Sequence, residues 1–397
     1  MNAVTVIGAG LSGLSTAWYL SLGGARVRVV EASPRPGGLI QTSHAPDGLV
    51  ESAARAFTWG DRTAALFRDV DVPACFARDE SKRRYIFRSG RPRRWPLSPT
   101  ETARSAARLG AAFVTRRMGP RAEESVETWG RRVLGPAATR WLVAPALQGI
   151  YATPPEALSA RAIFGKKRSA RPKLAAPPHG MGELIARLHR VLESKGVTFE
   201  FGCPVADVDP GERTAICTAA PAAARLLQRS APSLSRALGR IRMTSLVAVT
   251  SFFDPHDDDL HGFGILFPRA AGIDALGVMF NAEMFPGRSA LRSETWIYGS
   301  VSPESLPSHD EGAVARVIAD RRVLTGRHAV PHSSYVARQL GALPIYDQAV
   351  VDAQAAQAEL PRRIAVAGNF LGHLGVSHLL DGAAAAAARL TAEETDR

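Results

Sequence analysis

The chain of 397 residues is 46% hydrophobic, enough to bury two cores, and its mixture of glycine turns and helical patterns points to α/β or α+β architecture. Its formal charge of +12 is almost all arginine, and no nucleic-acid-binding motif accompanies it, so nucleic acid is the least favoured partner. No apolar run approaches the roughly 18 uncharged residues a membrane span needs, which excludes integral insertion and leaves surface attachment open.

The first forty residues organise the rest. An apolar run, Val4-Thr5-Val6-Ile7, leads into Gly8-Ala9-Gly10-Leu11-Ser12-Gly13, then a helical pattern, then a second apolar run from Ala25 to Val30 closed by Glu31. Strand, glycine turn, helix, strand and acid in this order bind a dinucleotide. Gly8 allows the tight turn, Gly10 lets a pyrophosphate approach the backbone, and Gly13 lets helix and strand pack closely. Leu11 and Ser12 open the helix, whose N-terminus favours negative charge. Glu31 stands where a carboxylate accepts hydrogen bonds from both ribose hydroxyls, so the nucleotide should lack a 2′-phosphate.

After Glu31 the chain reads Ala32-Ser33-Pro34-Arg35-Pro36-Gly37-Gly38-Leu39, a run that resembles the acid, arginine, double-glycine extension of flavoproteins of the amine oxidase superfamily. The resemblance implies FAD as the cofactor, with Arg35, Gly37 and Gly38 at its phosphate and ribityl region.

The turn Ala45-Pro46-Asp47-Gly48 and the strand after it resemble the hairpin that brings the chain under the flavin in that superfamily. In the protoporphyrinogen oxidase branch an arginine here pairs with a substrate propionate, and Arg55 falls on it, although Ala53-Ala54 replace the usual Gly-Pro pair. From Asp79 to Ser169 the sequence turns basic and helical. Arginines cluster over 78–94, and a further basic cluster covers 166–173. Such clusters suit a solvated face, acidic lipid headgroups or an anionic substrate. The segment Glu101 to Met118 reads as an amphipathic helix, either packed on its own domain or resting on a membrane.

Trp141 to Ser159, with its Pro-Glu-Ala-Leu-Ser ending, is similar to a run found in protoporphyrinogen oxidases. The glycine-methionine turn at His179-Gly180-Met181-Gly182 then returns the chain to the FAD domain, where Val205 stands at the position of a backbone contact to adenine. Only Asp209 to Arg213 remain where the family carries a β-meander, which questions the covering of that domain. His261 to Arg269, Leu276 to Asn281 and Met284 to Arg288 alternate as strands suited to a flat apolar pocket. The family order of these runs implies Phe263, Gly264, Leu266, Val278 and Phe280 as its walls. Near the end, Gly341 to Tyr346 resembles a segment beside the flavin, and the strand Ile364 to Ala367 meets Gly368-Asn369. The last helix opens at Gly372 to Val376. A helix N-terminus aimed at the flavin would stabilise negative charge there, which assigns Val376 a role through its backbone N–H. No cysteine lies in this segment, so the flavin should be held non-covalently, and His373 and His378 read as surface or cap residues.

The implied fold is α/β: a Rossmann-type FAD-binding domain in three pieces (1–75, 176–242 and 341–397), interleaved with a helical lobe (76–175) and a mixed-sheet substrate domain (243–340). The implied activity is oxidation of a porphyrinogen, protoporphyrinogen IX to protoporphyrin IX, with O2 as acceptor. Coproporphyrinogen III oxidation, an oxidase of an amine or natural-product intermediate, and a non-catalytic flavin-binding homologue stay open, as does the oligomeric state. No metal-ligand spacing is present. Cys75, Cys203 and Cys217 read as buried thiols in a reducing compartment, and the absence of a cleavable leader points to the cytoplasm, with peripheral contact on the inner face of the membrane left open.

Overall fold

The computed structural model describes residues 3–165, 173–255, 260–372 and 374–392. Most of the basic cluster at 166–173, and His373, lie outside the described residues.

Five parallel strands form the nucleotide sheet: β1 (Ala3–Ile7), β2 (Arg26–Val30), β10 (Thr198–Glu200), β11 (Thr214–Ile216) and β17 (Ile364–Val366), in the order β10-β2-β1-β11-β17. Parallel strands covered on both faces need apolar residues on both sides, and the Val and Ile runs supply them. On one face Val4, Val6, Val27 and Val29 pack with the helices Leu11–Leu22, Met181–Ser194 and Val376–Thr391. On the other, Ile7, Ile216, Ile364 and Val366 pack with the helices Ala220–Leu226, Pro232–Gly239 and Gln348–Ala356. The covering that the cut meander put in question is therefore supplied by three short helices, two of them alanine-rich.

The second sheet has seven strands in the order β16-β12-β15-β14-β13-β7-β8, and it draws on separate stretches of chain. These are β7 (Arg84–Arg88), β8 (Arg91–Arg93), β12 (Met243–Phe253), β13 (Gly264–Leu266), β14 (Gly277–Phe280), β15 (Arg292–Ser300) and β16 (Ser333–Pro344). Two strands thus come from the region read as a helical lobe. The hairpin β3 (Thr42–Ala45) and β4 (Gly48–Glu51) pairs by itself, and β5 (Phe57–Thr58), β6 (Cys75–Phe76) and β9 (Leu174–Ala176) make a small third sheet.

Register assigns the two faces of the seven-stranded sheet, because residues paired across a ladder share a side. Val249 pairs with Trp296, Trp296 with Val278, and Val278 with Ile265; all four are buried beneath Ala313, Val317 and Leu324 of the helix Asp310–Thr325. The opposite face carries Leu246, Ala248, Ile297, Met279 and Leu266, every one only half-buried. One face is a packed core and the other is an apolar, half-buried wall, where Leu266 lies against Gly149 and Met279 against Met284 and Phe285.

The helix Pro99–Val114 starts in a capping box, with the Ser98 hydroxyl accepting from the Glu101 N–H and the Glu101 carboxylate accepting from the Ser98 N–H, and with Pro99 in its first turn. It buries none of its residues, and Phe113 and Val114 near its end are 71% and 80% exposed.

Candidate functional site

The glycine turn is as tight as the motif requires. Gly8 has φ +102°, and a Cβ on Gly13 would lie 1.8 Å from the Gly8 carbonyl oxygen. No side chain fits at Gly13, and the helix that begins at Leu11 and Ser12 is seated directly on the end of β1. Gly37 donates to the Ala9 carbonyl at 2.8 Å, and a Cβ on Gly38 would stand 3.2 Å from the Gly10 Cα. The two glycine stretches lie back to back, leaving their backbones free to approach a phosphate. Arg35 is exposed and donates to the Pro36 and Gly38 carbonyls, at the end of the same cradle.

Glu31 is held in place from two sides. One carboxylate oxygen accepts from the Ala9 N–H at 2.6 Å and the other from the Ser33 N–H at 2.8 Å, which leaves each oxygen a further lone pair for a ribose hydroxyl. Glu31, Ala32 and Val205 line a cavity of about 330 Å³ together with Gly8, Thr218 and Arg225. Four of the expected nucleotide-binding residues, Gly8, Glu31, Ala32 and Val205, line this one cavity, and Arg225 joins them without any signal in the motif. Cys203 also lines it and is exposed, Cys75 is half-buried, and only Cys217 is the buried thiol expected, its pKa pushed up to about 12 by burial.

The C-terminal residues meet the seven-stranded sheet. The Tyr346 hydroxyl donates to the Asn369 carbonyl, and the Asn369 amide donates to the Ala342 carbonyl at 3.3 Å. Gly368 packs under the Phe370 ring, and Val376 opens the last helix behind Gly375, which supplies no side-chain cap. The first amides of that helix remain available to an anion. His378 is exposed beside Asp381 at 3.3 Å, as a surface residue would be.

Glu51, which the motif reading passed over, is the central buried charge. Its carboxylate accepts from the Met181 N–H at 2.8 Å and the Thr42 hydroxyl at 2.7 Å, and lies 3.7 Å from Arg288. It therefore caps the helix Met181–Ser194 and ties it to the β3–β4 hairpin. Burial raises its pKa against the pull of Thr42, Met181 and Arg288. Arg55, at the end of the same segment, donates to the Ala53 and Glu51 main-chain carbonyls at 3.0 and 3.4 Å. Burial lowers its pKa to about 10, opposed by the Glu51 charge, so it is cationic at neutral pH. The carboxylate closest to it in sequence is spent on Arg288 and the helix cap. A half-buried guanidinium bonded, among the described residues, only to carbonyls is an energetically favourable place for an incoming carboxylate.

The expected pocket walls divide between the two faces of the sheet. Leu266 lies on the half-buried face, packed against Gly149, and Phe263 is half-buried with the Arg84 guanidinium 4.5 Å over its ring. Gly264 has φ +153°, and a Cβ there would lie 2.1 Å from the Val278 carbonyl, so its role is backbone approach between strands. Val278 and Phe280 point the other way, into the core under the helix Asp310–Thr325, with 2% and 1% exposure. Strand alternation makes Met279, between them, the residue of β14 on the half-buried face. Arg84, paired in register with Gly264, adds a cation to that face. Leu246, Ala248 and Ile297 also belong to it, and only the register of long-range strands could have found them.

Comparison with known proteins agrees with this geometry. The family model described as flavin containing amine oxidoreductase matches residues 11–373. Among curated relatives, the chloroplastic protoporphyrinogen oxidase of Oryza sativa is 27% identical, the match covering 72% of this chain and 66% of that protein. The chloroplastic protoporphyrinogen oxidase of Nicotiana tabacum is 25% identical over 80% of this chain and 71% of its own length. The chain thus spans about two thirds of the rice protein it matches. Among solved structures, a candidate protoporphyrinogen oxidase from Exiguobacterium superposes with a TM-score of 0.80 at 17% identity, over 97% of this chain and 98% of that one. Cyclohexylamine oxidase from Brevibacterium oxydans gives 0.76 at 18% identity, over 98% and 100%. These likenesses establish the fold, in which a parallel nucleotide sheet faces a larger mixed sheet. Because the family match runs from the first helix to the loop before the last one, it places the protein: the chain belongs to the flavin containing amine oxidoreductase family and is a flavin-dependent oxidoreductase.

Proposed function

We propose that the protein binds FAD non-covalently and oxidises a porphyrinogen, protoporphyrinogen IX to protoporphyrin IX, with O2 able to accept the electrons. The observation that carries this reading is the half-buried apolar face of Leu246, Ala248, Ile297, Met279 and Leu266, with the Arg84 cation on the same face by register and a second guanidinium, Arg55, bonded to main-chain carbonyls. A wide apolar wall with cations suits a large, flat hydrophobic ring bearing carboxylates better than it suits a small amine. Protoporphyrinogen and coproporphyrinogen share that chemistry, and the wall by itself does not choose between them.

Bound FAD supplies the two-electron oxidation. The chain's own residues hold and orient. Glu31 accepts the ribose hydroxyls, and the Gly8–Gly13 turn and Gly37-Gly38 seat the pyrophosphate. The amides at Val376 would offer positive partial charge to a reduced flavin ring bound beside them. Arg55 holds a substrate carboxylate, while the half-buried sheet face excludes water from the reacting edge.

The test is a panel of protoporphyrinogen IX, coproporphyrinogen III and simple amines, with oxygen consumption monitored on FAD-loaded protein. Turnover of a porphyrinogen is expected, and none with either porphyrinogen would sink the reading. Arg55→Ala should raise KM several-fold with the flavin spectrum intact, and unchanged kinetics would remove Arg55 from the site. Acid precipitation should release all the FAD into the supernatant. The exposed helix Pro99–Val114 beside the arginines of β7 and β8 supports peripheral contact with anionic membranes. Anionic vesicles should then sediment the protein at low salt and release it at high salt; no binding at either would end that part of the proposal.

A further inference from the structure

The nucleotide cavity of about 330 Å³ lies across the C-terminal ends of β10, β2, β1 and β11, where Cys203, Glu31, Gly8 and Thr218 follow their strands. In a parallel sheet that edge is where a nucleotide sits. Gly8 lines the cavity, but Gly10, Gly13, Gly37 and Gly38 do not, so the pyrophosphate cradle stands at its border and the cavity itself suits the nucleoside end. Among the described residues, its lining holds two charged side chains, Glu31 and Arg225. Glu31 is anchored by the Ala9 and Ser33 amides. Arg225 is exposed, and its guanidinium makes no hydrogen bond, ion pair or ring contact among the described residues. By contrast the next arginine, Arg229, is held by Asp207 at 2.8 Å.

The helix Ala220–Leu226 turns Ala222, Arg225 and Leu226 toward the cavity, the i, i+3, i+4 spacing of one helix face. Its start is fixed beside Gly8, since a Cβ on Gly8 would stand 3.4 Å from the Thr218 side chain. At about 1.5 Å per residue the helix carries Arg225 roughly 10 Å from Thr218, away from the pyrophosphate.

We propose that Arg225 recognises the adenine base of the bound dinucleotide, engaging its aromatic face with the planar guanidinium, and so sets much of the cofactor affinity. The proposal rests on the FAD reading above. The other parts of the nucleotide are served elsewhere: the phosphates by the glycine turn and the helix that starts at Leu11, the ribose by Glu31. The base remains for the far end of the cavity. There Pro204, Val205 and Leu226 give a flat ring apolar cover, and a guanidinium adds cation–π attraction and planar stacking, the second of which an ammonium lacks. Arg225 arrives on a helix of the layer that stands in for the meander, so nothing in the glycine motif announces it.

The test is binding to flavin-free protein, read by calorimetry, and needs no substrate. Its probes are FAD and an FAD analogue from which the adenine has been removed, leaving the ribose and both phosphates. Arg225→Ala should weaken FAD about tenfold and the base-free analogue by less than about twofold, with the Tm of the flavin-free protein unchanged. Arg225→Lys should recover little of the loss. An equal loss for both probes would overturn the proposal by placing the guanidinium on ribose or phosphate, as would full recovery with Lys or unchanged FAD affinity in Arg225→Ala. If the unaltered protein bound neither probe, the FAD reading itself would fall; normal FAD binding without the expected difference removes Arg225 alone.

Discussion

The nucleotide cradle and the substrate wall are built by opposite strategies. The cradle comes from about thirty consecutive residues in which Gly13 and Glu31 are set by contacts within that stretch, while Gly8 is pressed against the Cys217 carbonyl of the neighbouring strand's end. The wall comes from strands spread between Arg84 and Pro344, and its membership depends on pairings such as Ala248 with Ile297 and Met279 with Thr295. In the first region a residue's role is a property of its motif; in the second it is a property of register, where a shift by one residue moves a side chain from the half-buried wall to the core. The buried Glu51–Arg288 contact lies between the two, fastening the hairpin of the nucleotide domain to the segment after β14.

The sharpest way to break this contrast is at Gly13. Gly13→Val places side-chain atoms inside the Gly8 carbonyl and should abolish flavin binding, at a cost of more than about 4 kcal/mol; yellow protein with normal flavin content would contradict the tight-turn account. A paired substitution tests the wall. Phe280→Ala should cost about 3–5 kcal/mol of stability by leaving a core cavity, with KM unchanged. Met279→Ala should shift KM several-fold with little change in Tm, and the reverse pattern would exchange the two faces. Next comes Glu51→Ala, which strands the buried Arg288 and uncaps a helix and should cost about 3 kcal/mol, read as a lower Tm. Rescue of Tm by the double variant Glu51→Ala, Arg288→Met would identify the unpaired cation as the cause.

The smallest effect is at the surface, in the Arg88–Glu101 pair at 2.7 Å. Arg88 and the Ser98 N–H hold the Glu101 carboxyl down to about 2 from an ordinary 4.5. Because the folded-state value is depressed, the stabilisation is complete above pH 4.5 and is lost as the pH falls from there through about 2. It is worth no more than about 1 kcal/mol. Acid unfolding curves of Arg88→Leu should therefore converge with the unaltered protein toward pH 2 and separate above pH 4.5, and curves that stay parallel across that range would remove the pair from the account.

Much of the nucleotide half was legible from residues alone. Gly13 and Glu31 are fixed by local steric and hydrogen-bonding contacts, and Gly8 and Glu31 share a cavity with Val205. The substrate half was legible only in outline. The apolar runs at Phe263–Leu266 and Leu276–Phe280 were recognisable as strands, yet Val278 and Phe280 fall in the core because both faces of this sheet are apolar and alternation does not say which face is which. Glu51 was missed because a single acid in a short strand carries no pattern; only the arrival of Thr42, Met181 and Arg288 gives it a function.

From its own residues the chain determines that it holds a dinucleotide without a 2′-phosphate, since a glycine turn, a helix start and an acid act over distances of a few residues. Tertiary structure alone decides which apolar side chains lie on the half-buried face, that Arg84 shares that face, and that β16 and the β3–β4 hairpin leave a cleft beside the cofactor loop. The physical reason is range: backbone sterics and capping are complete within one turn or strand, whereas the face a strand residue takes in a mixed sheet is settled only when residues hundreds of positions apart have paired.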